Sequence, residues 1–313
     1  CAGTTSRNSK GPNMAVQTIA ILMPGDMGHG CAIAFRQSGF RVVTNLTGRS
    51  ERTRGLAAKA EIEDLGSFEE VARQSDLVLS ILPPENALEQ ARVFADAMLA
   101  VDVKPPYVDC NAIAPATAER VGAEIARAGA PFTDGGIIGQ NPVTENGGTR
   151  LYVSGPDTSI VRELDGRGMA VRDTGKGIGR ASGLKMVYAS ATKGTFSLHA
   201  AVLTTAHAMG LTEDYMRELA ESQPAMLAAM ERMIPRIPLD AARWEGEMHE
   251  IAATFAAAGV TPKFHQGAGD MMALADRTPI SAETRETVDT DRTLLQALDM
   301  YVAARSSSRD AAE

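Results

Sequence analysis

A single lysine, Lys185, stands in the otherwise apolar run Gly183-Leu184-Lys185-Met186-Val187-Tyr188. Burial penalises the charged form of an amine, so a lysine in a partly dry setting has its pKa drawn down towards neutrality. Such a group can take a proton from a hydroxyl, or return one to a carbonyl oxygen as negative charge develops there. Ser182 and Tyr188 lie three residues to either side and Ala189 four after, which on a helix is one face. Thr192 and Lys193 follow two turns on. The competing reading is structural, with the stem packed along the helix and the amine snorkelling to water.

A second pattern lies far upstream. The apolar run 18–23 leads through Met23-Pro24-Gly25-Asp26-Met27-Gly28 into a helical pattern. A strand, a Gly-rich turn and a helix in that order seat a pyrophosphate on the helix N-terminus, where unpaired N–H groups and the helix dipole attract it. Gly25 lets the backbone approach the phosphates, and Gly28 lets the helix pack closely on the strand. Met23 occupies the first glycine position of G-x-G-x-x-G, so the reading rests on the turn's place at the head of an alternating pattern. About 20 residues further on, NAD sites usually offer Asp or Glu to the ribose hydroxyls. Here Asn45-Leu46-Thr47-Gly48-Arg49-Ser50 carries no acid before Glu51. Arg49 presents a planar fork and Ser50 a hydroxyl, both suited to a 2′-phosphate. NADP is therefore expected over NAD; the bland alternative makes Arg49 and Arg52 ordinary surface charges.

These residues need elements to hold them. Up to about residue 172, short β-rich runs alternate with amphipathic helical patterns, the signature of a doubly wound, Rossmann-like parallel sheet with crossover helices. Strands are expected at 18–23, 41–46, 77–82 and 107–110, with weaker ones at 132–134, 150–154 and 169–172. A helix over 26–38 is stopped by Gly39, Ser67 with Glu70 reads as a capping box, and Pro115 suits a first helical turn. The texture changes at 175–179. From 180 to 209 runs one Ala-rich helical pattern closed by Gly210, followed by helices at 212–233 (interrupted by Pro224), 241–258, and from 261 on. The expected organisation is an α/β dinucleotide-binding domain over 14–175 and an all-α substrate and dimerisation domain over 176–305. The flanks 1–13 and 306–313 are expected to be flexible tails, with Met14 as the natural start.

Composition narrows the function classes. The chain has 313 residues, 31 Lys and Arg against 39 Asp and Glu, and a formal net charge of −8, a poor basis for general nucleic-acid binding. Its three cysteines and five histidines are scattered, so neither a metal site nor a disulfide framework is expected. No apolar run reaches the roughly 18–20 residues of a membrane span. A cytoplasmic protein is the expectation. Trp244 reads as a packing anchor, and Glu247 and Glu250 as solvated or paired helix charges.

The runs 19–28, 77–83, Val108-Asp109-Cys110-Asn111, 132–139 and 177–185 occur in the order found in the β-hydroxyacid dehydrogenases, and from about Val16 to Met209 the chain resembles that family, which includes 3-hydroxyisobutyrate and 6-phosphogluconate dehydrogenases. The segment around Trp244-Glu245-Gly246-Glu247-Met248 looks like a branch distinct from either named enzyme. The resemblance implies that Pro24, Gly25, Asp26, Met27 and Gly28 hold the pyrophosphate, that Leu82 and Pro83 lie along the adenosine, and that Asn111 sits beside the nicotinamide ribose. It implies that Gly135, Gly136, Ile138 and Gly139 line the substrate's acidic group and that Lys185 is the catalytic lysine. It also implies a homodimer acting on a small acidic substrate, a β-hydroxy acid or its oxo or semialdehyde counterpart. Two positions depart from the family: its Asn one turn after the lysine is Ala189, and its Ser-Gly-Gly is Ile138-Gly139-Gln140. Tyr188 or Thr192 is the expected source of the hydrogen bond that this Asn would make. The departures leave two further readings, an imine reductase of the same fold and a non-catalytic NADPH-binding protein.

Overall fold

The computed structural model describes residues 16–143 and 148–306. The expected tails, apart from Ser306, lie outside those residues. Packing divides the chain into two compact units, one of Cys1–Leu82, Leu88–Cys110 and Arg120–Ala181, the other of Pro83–Ala87, Asn111–Glu119 and Ser182–Glu313.

The elements of the first half are β1 (Thr18–Leu22), α1 (Asp26–Gln37), β2 (Arg41–Thr44), α2 (Glu51–Lys59), β3 (Glu63–Asp64), α3 (Phe68–Gln74), β4 (Leu77–Ser80), α4 (Ala87–Val101), β5 (Tyr107–Asp109), α5 (Pro115–Arg127), β6 (Phe132–Ile138), β7 (Arg150–Ser154), α6 (Ser159–Arg162) and β8 (Ala170–Asp173). The strands form one sheet in the order β3-β2-β1-β4-β5-β6-β7-β8. Every pairing is parallel except β6 with β7. The central strands are buried along almost their whole length, as a parallel sheet covered on both faces requires. That is why they read as unbroken apolar runs. Strand order reverses between β1 and β4, and the chain leaves these neighbours in opposite directions at their carboxyl ends, opening the crevice where such sheets bind ligands. Helix starts follow local chemistry: the Ser67 hydroxyl accepts from the Glu70 amide at 3.2 Å, and Gly39 ends the first helix region at φ +90°.

The second half comprises α7 (Arg180–Ala189), a π-turn (Ser190–Gly194), α8 (Thr195–Ala208), α9 (Thr212–Ser222), α10 (Pro224–Met233), a 3₁₀ stretch (Ile234–Asp240), α11 (Ala241–Ala257), α12 (Lys263–Asp276) and α13 (Leu294–Ser306). Its core gathers Met186, Leu203, Trp244, Met248, Ile251, Met272, Leu298 and Tyr301. The 212–233 helix breaks before Pro224 as expected, since proline cannot donate a backbone hydrogen bond. Two elements differ from the sequence expectation. The 180–209 helix is interrupted by the π-turn. The helix from 261 stops at Asp276, ahead of the Pro279–Ala282 3₁₀ turn. Among the described residues, no helix is long and apolar enough to cross a membrane.

β6 runs four residues beyond the expected 132–134 strand. Its pairing with β5 ends at Asp134, whereas the ladder with β7 continues to Ile138. Glycine makes this extension fit: a Cβ on Gly135 would lie 2.6 Å from the Asp109 carbonyl oxygen and 3.1 Å from Val108 Cγ1. Backbone cannot yield there as a flexible side chain could. Gly135→Ala should therefore lower the unfolding free energy by about 2 kcal/mol or more, read as a lower urea midpoint at unchanged slope; an unaltered midpoint would show that the strands part freely.

Candidate active site

Within the first unit, β1 runs into a tight turn that leads directly into α1. Met23, in the first fingerprint-glycine position, takes the left-handed conformation at φ +56°, which costs a side-chain-bearing residue about 1–2 kcal/mol. The Gly25 amide closes the turn on the Met23 carbonyl at 2.7 Å. A Cβ on Gly28 would lie 3.2 Å from Ile21 Cγ2, so glycine there lets α1 sit down on β1. Pro24 is buried, Met27 packs on the core, and the Asp26 carboxylate meets Arg52 at 2.6 Å. Asn141 fills the notch left by Gly30 and donates to the Asp26 carbonyl at 2.6 Å.

Arg49 is half-buried beyond the end of β2 and reaches to the first turn of α4, where it donates to Gln90 Oε1 at 3.2 Å. Its Nε and the Nε2 of Gln90 are both buried without a hydrogen-bond partner. Desolvation holds the guanidinium below the usual arginine range. Buried donors without an acceptor are uncommon, and two of them stand on the one hydrogen-bonded Arg49–Gln90 pair. Ser50 is committed locally: its hydroxyl oxygen accepts from the Thr53 amide at 3.2 Å and caps α2. Leu82 follows β4, half-buried. Gly135, Gly136 and Ile138 belong to β6 rather than to a loop, and Gly139 follows at φ +129°, where a Cβ would strike the Thr149 backbone at 2.8 Å.

Asp134 is fully buried at the point where β6 outruns β5. It accepts from the Ser154 hydroxyl at 2.8 Å and from the Gly179 and Ala181 amides at 2.9 Å each. One carboxylate thus ties strand β7 to the first turn of α7, the helix that carries Lys185. The helix dipole favours a negative charge at that end.

Within the second unit, Pro83 is half-buried and Asn111 is almost fully buried just after β5. A Cβ on Gly183 would touch Pro115, and Ala112 joins the core with Met186 and Ala189. Lys185 is half-buried. Tyr188 points outward and is 49% exposed. The Thr192 hydroxyl donates back to the Tyr188 and Ala189 carbonyls at 3.3 Å. Neither group therefore reproduces the amide missing at Ala189, which is itself core.

What stands nearby instead is a buried ion cluster. Glu247, 1% exposed, accepts from Lys193 Nζ on one carboxylate oxygen and from Arg243 on the other. Burial pushes its pKa up, but Lys193, Arg243 and Lys185 together outweigh this and hold the carboxyl below its usual range. Burial draws Lys193 down despite the pull of Glu247. Its ammonium lies 5.2 Å from the centre of the Trp244 ring, a cation–π distance. Trp244 stacks on Phe196, and its indole N–H has no hydrogen-bond partner. Trp244 is the packing anchor that its composition suggested, whereas Glu247 is not solvated. Glu250 is paired as well, taking the Ala114 amide at 2.6 Å and the Thr117 hydroxyl at 2.9 Å, so it caps the start of α5. Sequence reasoning noted Lys193 only for its spacing from Lys185 and overlooked Asp134. The signal available for Lys193 was a second lysine in the same Ala-rich helix; Asp134 carried none beyond its place at a strand end.

Among the described residues, no group of three or more His, Cys, Asp or Glu could hold a metal ion. The family profile described as the NAD binding domain of 6-phosphogluconate dehydrogenase matches residues 18–164, and a domain of unknown function (DUF1932) matches residues 206–274. An uncharacterized 28.5 kDa protein of Methanothermus fervidus is 27% identical over 189 residues, 60% of this chain and 71% of that protein. A conserved protein of unknown function, described as structurally similar to 3-hydroxyacid dehydrogenases, is 28% identical with a TM-score of 0.59, covering 83% of this chain and 98% of its own. The 3-hydroxyisobutyrate dehydrogenase of Mycobacterium tuberculosis shares the fold at a TM-score of 0.63 and 18% identity, covering 91% of this chain and 98% of its own.

Removing the Asp134 carboxylate strands the Gly179 amide and the Ser154 hydroxyl in a dry site and leaves the Ala181 amide only its 3.1 Å bond to Ser154 Oγ. Asp134→Ala should cost about 3 kcal/mol or more of stability, and hydrogen exchange should speed up at Gly179 and Ala181. Wild-type protection at those two amides would contradict the capping role.

Proposed function

We propose that the chain is an NAD(P)-dependent oxidoreductase acting on CH–OH, of the β-hydroxyacid dehydrogenase kind, that it prefers NADP, and that it oxidises a small β-hydroxy acid, or reduces the oxo or semialdehyde counterpart, with Lys185 handling the proton. The observation that carries this reading is a half-buried lysine at the family's catalytic position, on a helix whose first turn is fixed by a buried carboxylate. A bound nicotinamide supplies the hydride acceptor or donor; the protein's part is binding, orientation and proton handling. Backbone N–H groups of the turn Pro24–Gly28 and the N-terminus of α1 hold the pyrophosphate. Leu82 and Pro83 would lie along the adenosine side of the cofactor, and Asn111 would sit beside the nicotinamide ribose. The orphaned Arg49 and Gln90 donors support a 2′-phosphate at the end of β2. For the substrate, Gly135, Gly136 and Gly139 offer the close backbone approach a carboxylate needs, with Ile138 adding an apolar wall. As the hydroxyl oxygen becomes a carbonyl, Lys185 in its neutral form removes the proton; in reverse, its ammonium stabilises the developing alkoxide and protonates it. The apolar side chains Leu184, Val187 and Leu198, 40%, 56% and 61% exposed, support a homodimer built on the helical half.

A panel of small β-hydroxy acids and their oxo forms, with cyclic imines beside them, tests the reaction class by absorbance of the reduced nicotinamide. Acid-specific turnover is expected, with Lys185→Met lowering kcat by about 10²–10⁴-fold. Imine reduction alone would assign the site to imines, and cofactor binding with no turnover would make it a non-catalytic NADPH-binding protein. Cofactor choice is tested separately. Arg49→Ala should reduce the NADP-over-NAD ratio of kcat/KM by roughly 10–100-fold, the worth of one or two charge-assisted hydrogen bonds; an unchanged ratio would place discrimination elsewhere.

A further inference from the structure

The π-turn at Ser190–Gly194 changes which residues share a face with Lys185. On a regular α-helix, advancing about 100° per residue, Lys193 would stand about 80° round from Lys185. A π-turn admits roughly one extra residue without advancing the helix, which cuts that offset to about 20°. Both lysines then face α11, where Lys193 grips Glu247. Arg243 holds the other carboxylate oxygen, and Trp244 lies against the Lys193 ammonium.

We propose that Glu247 is the positioning residue of Lys185, replacing the amide absent at Ala189, and that Lys193 and Arg243 are the counter-cations that keep it buried and ionised. The inference rests on the reading of Lys185 as the proton carrier. Glu247 is a negative charge that favours the ammonium form of Lys185, and Lys193 is a positive charge that opposes it. The field of Lys185 on Glu247 agrees with that arrangement. The other charged or titratable groups around the cluster are Asp240, which pairs with Arg243 and with Arg285, Glu85 beside Gly246, and His265 of α12 beside Gly194.

The two buried partners must therefore move the titration of Lys185 in opposite directions, although losing either one breaks the same ion pair. The test follows the acylation rate of Lys185 against pH by peptide mass spectrometry, on the full chain without cofactor or substrate. Glu247→Gln should shift the midpoint down by about half to one pH unit, and Lys193→Met should shift it up by a similar amount. Lys193→Arg, which keeps the charge, should restore the wild-type midpoint. Should Glu247→Gln fail to fold, the contrast between Lys193→Met and Lys193→Arg decides alone. Shifts of the same sign, or none, would overturn the proposal and leave a purely structural ion pair. Full turnover in Lys185→Met would instead sink the assignment of Lys185, whatever the titration gives.

Discussion

Burying a carboxylate removes it from water at a cost of several kcal/mol, and only converging hydrogen bonds or cations offset that cost. Among the described residues Asp109, Asp134 and Glu247 are buried, and the last two each bear on one end of the helix that carries Lys185. Asp134 faces the first amides of α7, where the dipole end and two N–H groups stabilise it. Glu247 lies against the π-turn that follows α7, where Lys193 and Arg243 stabilise it. Neither carboxylate can move without exposing the other groups it satisfies. The start of α7 and the turn that follows it are thus each held by a buried carboxylate, the restraint that the proposed proton transfer at Lys185 calls for, because a displacement of even an ångström would take a side chain out of reach of a reacting oxygen.

The same constraint explains the π-turn. A regular helix would turn Lys193 away from Glu247 and leave a buried carboxylate with Arg243 alone. The wider turn is a local defect, its backbone bonded less regularly, and Thr192 and Ser197 hydroxyls return to nearby carbonyls around it. A charge pair formed in a dry setting repays that irregularity. Gly194 belongs to the same solution, since a Cβ there would lie 3.2 Å from His265 Nε2 and push α12 away.

How much of this was legible in sequence depended on how local each cause was. Strands β1 and β4, the turn Met23–Gly28, the stop at Gly39 and the Ser67 cap are each set by residues within a few positions, and they stand where the pattern put them. The break at Pro224 is of the same kind. The extension of β6 to Ile138 depends on β7, which approaches from twelve or more residues away, and Gly135 and Gly136 read as loop without it. Glu247 was opaque for a stronger reason: its partner Lys193 is 54 residues distant, and on a helical wheel a lone Glu four residues after Arg243 is indistinguishable from a surface pair. The membership of Pro83–Ala87 and Asn111–Glu119 in the helical unit is likewise a matter of packing alone, with no composition shift to mark it.

Ile138 and Ala189 depart from the resembled family in the same direction. At both positions the family's polar group, a serine hydroxyl or an asparagine amide, is replaced by a side chain that can neither donate nor accept. Short-range, directional hydrogen bonds are what reject a substrate lacking the matching group, often by several orders of magnitude. Ion pairs act over longer distances and with little angular preference. On the proposed reading, the ion group of Lys193, Glu247 and Arg243 would act on the proton at Lys185, which needs no directional contact, and Gly135, Gly136, Ile138 and Gly139 would select a substrate by size and charge rather than by a pattern of hydroxyls.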